Sequence, residues 1–340
     1  GTMRWGLVIG GALVAVAVRL WIIWAEGGDG PLSWNEDKIG DGKDKVVVIT
    51  GASAGLGLAA ATILGEKGYN VIMGCRSKQK GEQALKEMKA SGRVKGKVVV
   101  EILDLMEPDS IDAFVKRVSE KYNRIDYLLN NAGVMAIVET RNSKGWEGQI
   151  AVNHFGHFIL TLQLLPLLAK GVGRVVMHSS SVHSFPGLDI DDLNYEKRPY
   201  DAFRAYASSK RANLLFAHEL NRKARRIGVT ATAAHPGWTV TELQERATGD
   251  DLFRSMVVRG NRLGLGMTPR RGVLSLLRAA FDAPGDKYIG PAFMIAGPPV
   301  VIGNTLEDYS SLKFYSEEDA KKLWEKTEDV TEVTSLLLQN

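Results

Sequence analysis

The chain has 340 residues, of which 45% are hydrophobic, enough to fill the core of one large α/β domain or two small ones. A net charge of +4, scattered along the chain, is too weak a bias to argue for nucleic acid and reads as solvated Lys and Arg, so no nucleic-acid partner is expected. The single cysteine, Cys75, excludes an intrachain disulfide, and no internal repeat or long low-complexity run appears.

Gly1 and Thr2 precede Met3 and read as a foreign remnant, so they are set aside. From Trp5 to Ala25 the chain is apolar except for Arg19. As a helix that run would be about 32 Å long, close to a bilayer core of about 30 Å. Trp5 stands at one end, Trp21 and Trp24 at the other, as interfacial tryptophans do. Arg19 is near enough to the far end to snorkel. Gly6 and Gly10 form only a weak helix-pairing signal. Residues 3–25 are therefore expected to be a retained membrane anchor. The alternatives are a cleaved signal peptide, for which Ala25-Glu26-Gly27 is a poor cleavage site, and a helix of the globular domain. Residues 26–43, acidic and rich in glycine, read as a linker, and 44–340 as one separate globular domain. The flanking charges, Arg4 against Glu26, Asp29, Glu36 and Asp37, point to a cytosolic amino terminus by the positive-inside rule, but they are too few to decide the side of the domain.

Beyond the linker, strands alternate with helices. Strands are expected at Lys45–Thr50, Asn70–Cys75, Val98–Leu103, Asp126–Asn130, Arg174–Ser179, Val229–Ala234 and Tyr288–Ile295. Helices are expected at Leu56–Glu66, Lys78–Ala90, Asp109–Lys121, Trp146–Ala169 (bent near Gly156), Ala202–Arg226 and Gly272–Phe281. Continuous apolar strands separated by helices predict an α/β, Rossmann-type, doubly wound parallel sheet in a single domain. Such sheets bind ligands at the carboxyl ends of their strands.

The motifs fall at those ends. Thr50-Gly51-Ala52-Ser53-Ala54-Gly55-Leu56-Gly57 joins the first strand to a helix, and glycines there let a pyrophosphate approach the helix amino terminus. The second strand ends in Gly74-Cys75-Arg76-Ser77. A carboxylate at this place would hold the ribose of NAD; Arg76, with Lys80 assisting, would instead meet a 2′-phosphate, which favours NADP(H). Asp104, followed by Leu105, closes the third strand and could accept a bond from adenine; a plain turn aspartate is the alternative. Asn130-Asn131-Ala132-Gly133 ends the fourth strand and Ser179-Ser180-Ser181 the fifth. Tyr206 and Lys210, four residues apart, share a helix face. A nearby ammonium would lower the phenol pKa and make Tyr206 a usable acid and base.

Together with Asn153-His154-Phe155-Gly156-His157-Phe158, His183, His235-Pro236-Gly237-Trp238-Thr239-Val240-Thr241 and Ala320-Lys321-Lys322-Leu323-Trp324, these motifs make the chain resemble a short-chain dehydrogenase/reductase of the retinol-dehydrogenase-like branch, over residues 44–300. The resemblance implies that Tyr206 exchanges a proton with the substrate oxygen, that Ser180 hydrogen-bonds that oxygen, and that Lys210 binds the nicotinamide ribose. Asn153 would hold a water that links Lys210 to solvent. Thr50, Gly51, Ser53, Gly55, Leu56, Gly57, Arg76, Asp104, Leu105, Asn131, Ala132, Gly133, Pro236, Gly237, Thr239 and Thr241 would line the cofactor. Hydride passes directly between nicotinamide and carbon, so no metal is called for. His154 and His157 lack a third ligand at zinc-like spacing and read as packing or surface residues.

Residues 243–267, with Phe253, Met256, Val257, Val258 and Leu263, would cover a lipophilic alcohol, aldehyde or ketone; a packing loop is the alternative. The expected partners are that substrate and membrane lipid. The expected location is a membrane reached by a single amino-terminal pass, at the endoplasmic reticulum or a related internal membrane. Members of the family often pair through the long helices, here 146–169 and 202–226, which makes a homodimer a candidate assembly. Two rival readings are a non-catalytic nucleotide-binding scaffold or sensor, and a light-dependent protochlorophyllide reductase-like enzyme, which the Val71–Arg76 strand end resembles.

Overall fold

The computed structural model describes residues 34–241, 261, 266–292, 296–306 and 315–339. The expected anchor and most of the expected substrate cover, 243–267, lie outside the described residues.

The elements run in chain order as β1 (Val46–Thr50), α1 (Gly55–Glu66), β2 (Asn70–Cys75), α2 (Lys78–Ala90), β3 (Val98–Ile102), α3 (Pro108–Lys121), β4 (Tyr127–Asn130), α4 (Gly148–Leu168), β5 (Arg174–His178), α5 (Ala202–Ala224), β6 (Thr230–Ala234), α6 (Leu274–Phe281), β7 (Lys287–Pro291), β8 (Pro299–Asn304) and α7 (Glu317–Thr331). The strands form one sheet in the order β3-β2-β1-β4-β5-β6-β7-β8. All neighbours are parallel except β7 and β8, which are antiparallel. The fold is thus the doubly wound Rossmann-type sheet that the alternation predicts. The order reverses between β1 and β4, so the crevice for a ligand opens at their carboxyl ends.

The alternation of side chains along each strand builds two apolar layers. Val46 and Val48 face the layer that holds Phe114 of α3, Phe158 of α4, Phe216 of α5 and Trp324 of α7. Val47 and Ile49 face the layer that holds Leu64 of α1, Leu85 of α2 and Leu277 of α6. A strand buried on both faces has no use for polar alternation, which is why β1 reads Val-Val-Val-Ile-Thr. Trp34 and Ile39, in the stretch expected to be linker, are buried in the second layer, and Glu36 pairs with Arg270 at 2.8 Å. The packed body therefore includes residues 34–43.

Helix α4 is long and apolar enough to cross a membrane by composition, yet 83% of its most apolar window is buried inside the protein. It is the central core helix of the first layer. The bend expected near Gly156 is a π-helical stretch, Ala151–Phe155, in which the Gly156 N–H bonds the Ala151 carbonyl. Glycine is needed at 156 because a Cβ there would stand 2.4 Å from the Leu105 carbonyl oxygen.

Three expectations need correction. The helix expected from Gly272 starts at Leu274, after a separate turn at Pro269–Gly272. The last strand ends at Pro291 rather than Ile295, and an edge strand, β8, follows it. Pro291 at the end of β7 and Pro299 at the start of β8 hid it, since proline is tolerated on an edge but reads as a breaker in sequence. Helix α7 appears in the sequence only as the motif Ala320–Trp324. It is opened by a capping box between Ser316 and Asp319 and docks by stacking Trp324 on Phe216, ring centroids 5.6 Å apart.

Candidate active site

The motifs expected at strand ends meet at the carboxyl edge of the sheet. Gly51 leaves β1 with φ +66°, and a Cβ on it would press on the Ala132 backbone at 2.9 Å. A Cβ on Gly57 would stand 2.3 Å from the Gly51 carbonyl oxygen. The loop is therefore as tight as the chain permits, and it ends at the amino terminus of α1, which no side chain caps. Free N–H groups on a narrow glycine bend fit a diphosphate. Ser53 turns inward and hydrogen-bonds Cys75, and burial pushes that thiol up to about 11. Leu56 packs in the second layer. Thr241 of the 236–241 loop faces Gly55, within 3.4 Å of where a Cβ would stand. Thr239 is buried and donates to the Pro236 carbonyl at 3.0 Å, and the Gly237 N–H reaches the His235 ring at 3.2 Å.

Arg76 is exposed just past β2, and Lys80 is exposed on the first turn of α2. Arg76 has no ion-pair partner among the described residues, so its guanidinium is available to an anion. Asp104 follows β3 and accepts from the Met106 N–H at 3.0 Å, the geometry of a turn aspartate. Leu105 beside it is buried against Gly156.

The link between β1 and β4 is the Thr50 hydroxyl. It accepts from the N–H groups of Asn131 and Ala132, both at 2.9 Å, and meets the His157 ring at 2.9 Å. Asn131 donates back to the Thr50 carbonyl at 2.9 Å and meets His178 at 3.1 Å. Asn153, in the π-helical stretch, holds the next residues: its amide accepts from the Val134 N–H at 2.8 Å and donates to the Val134 carbonyl at 3.0 Å and to Ser209 at 2.9 Å. Both of its N–H donors are thereby used. The group that a water could use is the Asn153 carbonyl, which also faces His157 at 3.0 Å.

Ser180, Tyr206 and Lys210 converge beside this frame. Ser180 hydrogen-bonds the Tyr206 phenol. Lys210 Nζ lies 5.6 Å from the centre of the Tyr206 ring and donates to the His178 carbonyl at 3.2 Å. A Cβ on Gly133 would be 3.3 Å from that ammonium, so Lys210 sits directly under the β4 loop. Burial pushes Tyr206 up to about 12, with Ser180 pulling the other way, and burial alone draws Lys210 down to about 8. The net direction differs from the expected lowering: burial outweighs the other influences on the phenol, and the Lys210 ammonium is directed to the His178 carbonyl. A phenol at about 12 carries its proton throughout the neutral range.

Sequence reasoning missed His178, Ser209 and Asn213. Asn213 joins Lys210 on the His178 carbonyl at 3.0 Å. Only Ser209, adjacent to Lys210, had a signal in its place within Tyr206–Lys210. His154 and His157 are both buried, the first against Thr327 at 3.0 Å and the second against Thr50, and burial lowers each to about 3. They are neutral hydrogen-bonding groups.

A family model described as short chain dehydrogenase matches residues 45–251. Human retinol dehydrogenase 13 is 40% identical over 200 residues, which is 58% of this chain and 60% of that protein. Retinol dehydrogenase 14 of Homo sapiens is 32% identical over 314 residues, 87% of each chain. Among solved structures, an uncharacterized protein from Mycobacterium Paratuberculosis superposes with TM-score 0.70 at 34% identity, covering 88% of this chain and 98% of that one. A Beutenbergia cavernae protein described as an NAD(P) dependent gluconate 5-dehydrogenase, with NADP bound at low occupancy, gives TM-score 0.56 at 25% identity, covering 75% of this chain and 93% of that one.

A buried ammonium opposes folding wherever it is charged. Lys210 is drawn down to about 8 in the folded protein from the ordinary lysine value of 10.5, so its charge penalises the folded state fully below pH 8, and the penalty fades as pH rises toward 10.5. Lys210→Met should therefore raise the melting temperature of the protein at pH 7, with Asn213 still satisfying the His178 carbonyl. The gain should shrink between pH 8 and pH 10. Melts at both pH values check this; a variant that melts lower at pH 7, or a gain that ignores pH, removes desolvation as the cause.

Proposed function

The chain belongs to the short-chain dehydrogenase/reductase family, in its retinol-dehydrogenase-like branch, and on that premise we propose that it is an NADP(H)-dependent oxidoreductase that interconverts a lipophilic alcohol and its aldehyde or ketone. The observation that carries this reading is the convergence of Ser180, Tyr206 and Lys210 beside the glycine bend of β1. A binding scaffold or sensor has no need of a buried phenol and a buried ammonium, each of which opposes folding when charged.

The nicotinamide cofactor, when bound, supplies or accepts a hydride directly at carbon. The protein's part is to bind, orient and move one proton. The glycine bend and the uncapped α1 terminus would hold the diphosphate, and Asn131, Ala132, Gly133, Pro236, Gly237 and Thr239 would border the nicotinamide half. Lys210 would hold the ribose. Ser180 and Tyr206 would hold the carbonyl oxygen, with Tyr206 giving up its proton as negative charge grows there. That proton is already in place at neutral pH, as carbonyl reduction requires. Asn153 acts as a positioning residue that clamps the β4 loop to α5.

Arg76 and Lys80 favour a 2′-phosphate, and the NADP carried by the Beutenbergia cavernae structure supports that choice. The names of the relatives support a lipophilic substrate, and the apolar run of residues 3–25 supports a membrane tether that would deliver it. Pairing of two copies through α4 and α5 draws no support from the fold, since α4 is buried and Trp324 of α7 packs on Phe158 and Phe216 of these helices.

The tests follow the same order. Tyr206→Phe should spare NADPH binding and lower turnover of a lipid aldehyde by about 10²–10⁴-fold. Retention of more than about a tenth of the rate would place the proton donor elsewhere. Arg76→Asp should reverse a preference for NADPH over NADH in titrations of both; equal affinities in the unaltered protein would sink the NADP assignment. Deleting residues 3–25 should move the protein from the membrane pellet to the supernatant with cofactor affinity unchanged. A truncated protein that still sediments after a high-salt wash must be held by another surface.

A further inference from the structure

Ser180 stands at the start of a single 3-10 turn, Ser181–Ser184, and orients that turn by accepting from the Val182 N–H. So short a helix cannot hold its own carboxyl end, where carbonyls are left without partners. The structure supplies most of the donors from one side chain. Arg211, the residue after Lys210 on α5, donates to the His183 carbonyl at 3.0 Å, to the Ser184 carbonyl at 3.4 Å and to the Phe185 carbonyl at 3.0 Å. Its Nε also reaches the Tyr315 hydroxyl at 3.1 Å, and its guanidinium lies 4.7 Å from the centre of the Tyr315 ring. Tyr315 in turn donates to the His183 carbonyl at 2.8 Å and sits just before α7.

We propose that Arg211, braced by Tyr315, is a positioning residue that locks the Ser180 turn onto the helix carrying Tyr206 and Lys210. The inference rests on the reading of Ser180 as a substrate-oxygen ligand. Ser180 belongs to the loop after β5, whereas Tyr206 belongs to α5. The two must keep hydrogen-bond distance for both to reach one oxygen. A guanidinium fork spanning adjacent carbonyls fixes the turn in orientation as well as distance, which a lysine point charge would not do. The turn's carbonyl end also carries partial negative charge, which a cation stabilises. Tyr315 extends the same clasp to the carboxyl-terminal segment, so docking of α7 and alignment of Ser180 are coupled.

The experiment combines two readouts on Arg211→Met, Arg211→Lys and Tyr315→Phe in the full chain. The first is amide hydrogen exchange over residues 180–186, where His183 donates to the Ser180 carbonyl at 3.1 Å and Phe185 to the Val182 carbonyl at 3.0 Å. Exchange there should accelerate in Arg211→Met and only partly recover in Arg211→Lys, while the Tyr206–Lys210 helix stays protected. The second is a cycle with Ser180→Ala, measured with NADPH and a lipid aldehyde. Arg211→Met should lower kcat by about 10- to 100-fold with NADPH affinity kept. The same change should have little effect once Ser180 is already alanine. Unchanged exchange at 180–186, or a loss of rate that simply multiplies with that of Ser180→Ala, overturns the clasp. Accelerated exchange in a protein with no carbonyl turnover leaves the clasp standing and sinks the proposed function instead.

Discussion

The Thr50 hydroxyl is the interaction on which the site depends. Where β1 and β4 end, the sheet order reverses and the two chains part in opposite directions. Backbone groups there lose their strand partners while still being screened from water, so each needs a replacement. Thr50 supplies it for Asn131 and Ala132 at once, and His157 closes the arrangement from α4. The Asn131 amide, bonded to the Thr50 carbonyl, and Asn153, bonded to both backbone groups of Val134, hold the same loop, and Gly133 bounds the space above Lys210. A threonine at the end of an otherwise aliphatic strand thus ties β1 to the β4 loop.

The electrostatics of the crevice follow from burial. His157, His178, His235 and Lys210 are all nearly inaccessible, and burial lowers the proton affinity of each. The histidines respond by staying neutral and serving as hydrogen-bonding partners. Lys210 is drawn down to about 8 and still carries most of its charge at neutral pH. Tyr206 moves in the opposite direction for the same reason, since desolvation always disfavours the charged form. One physical cause thus prepares a retained proton on the phenol beside a weakly hydrated ammonium.

Much of the fold was legible because its signals are local. Apolar runs such as Val71–Cys75 and helices with opening signals such as Ser77 and Pro108 announce themselves within a few residues, and β2 and α2 fall where the sequence places them. The glycines could be read because a bend with φ +66° favours glycine and a 2.3 Å clearance leaves no room for a Cβ. Edge strand β8 escaped, since pairing with β7 across a proline-bounded turn is a long-range fact. The separate turn before α6 escaped for a related reason: Gly272 lies against Thr239, a contact between residues distant in the chain.

The sequence by itself determined the sheet type, the placement of the motifs at strand ends, and the pairing of Tyr206 with Lys210 on one helix face, because periodicity and residue chemistry act over short distances. Tertiary structure alone decided what those side chains experience. It set the direction of the Tyr206 shift, which depends on how many atoms exclude water and on where the Lys210 ammonium points. It also decided that Asn153 closes the β4 loop, that His154 and His157 act as hydrogen-bonding groups of the core, and that Arg211 holds the Ser180 turn. Those are contacts between residues distant in the chain, and their geometry exists only once the layers have packed.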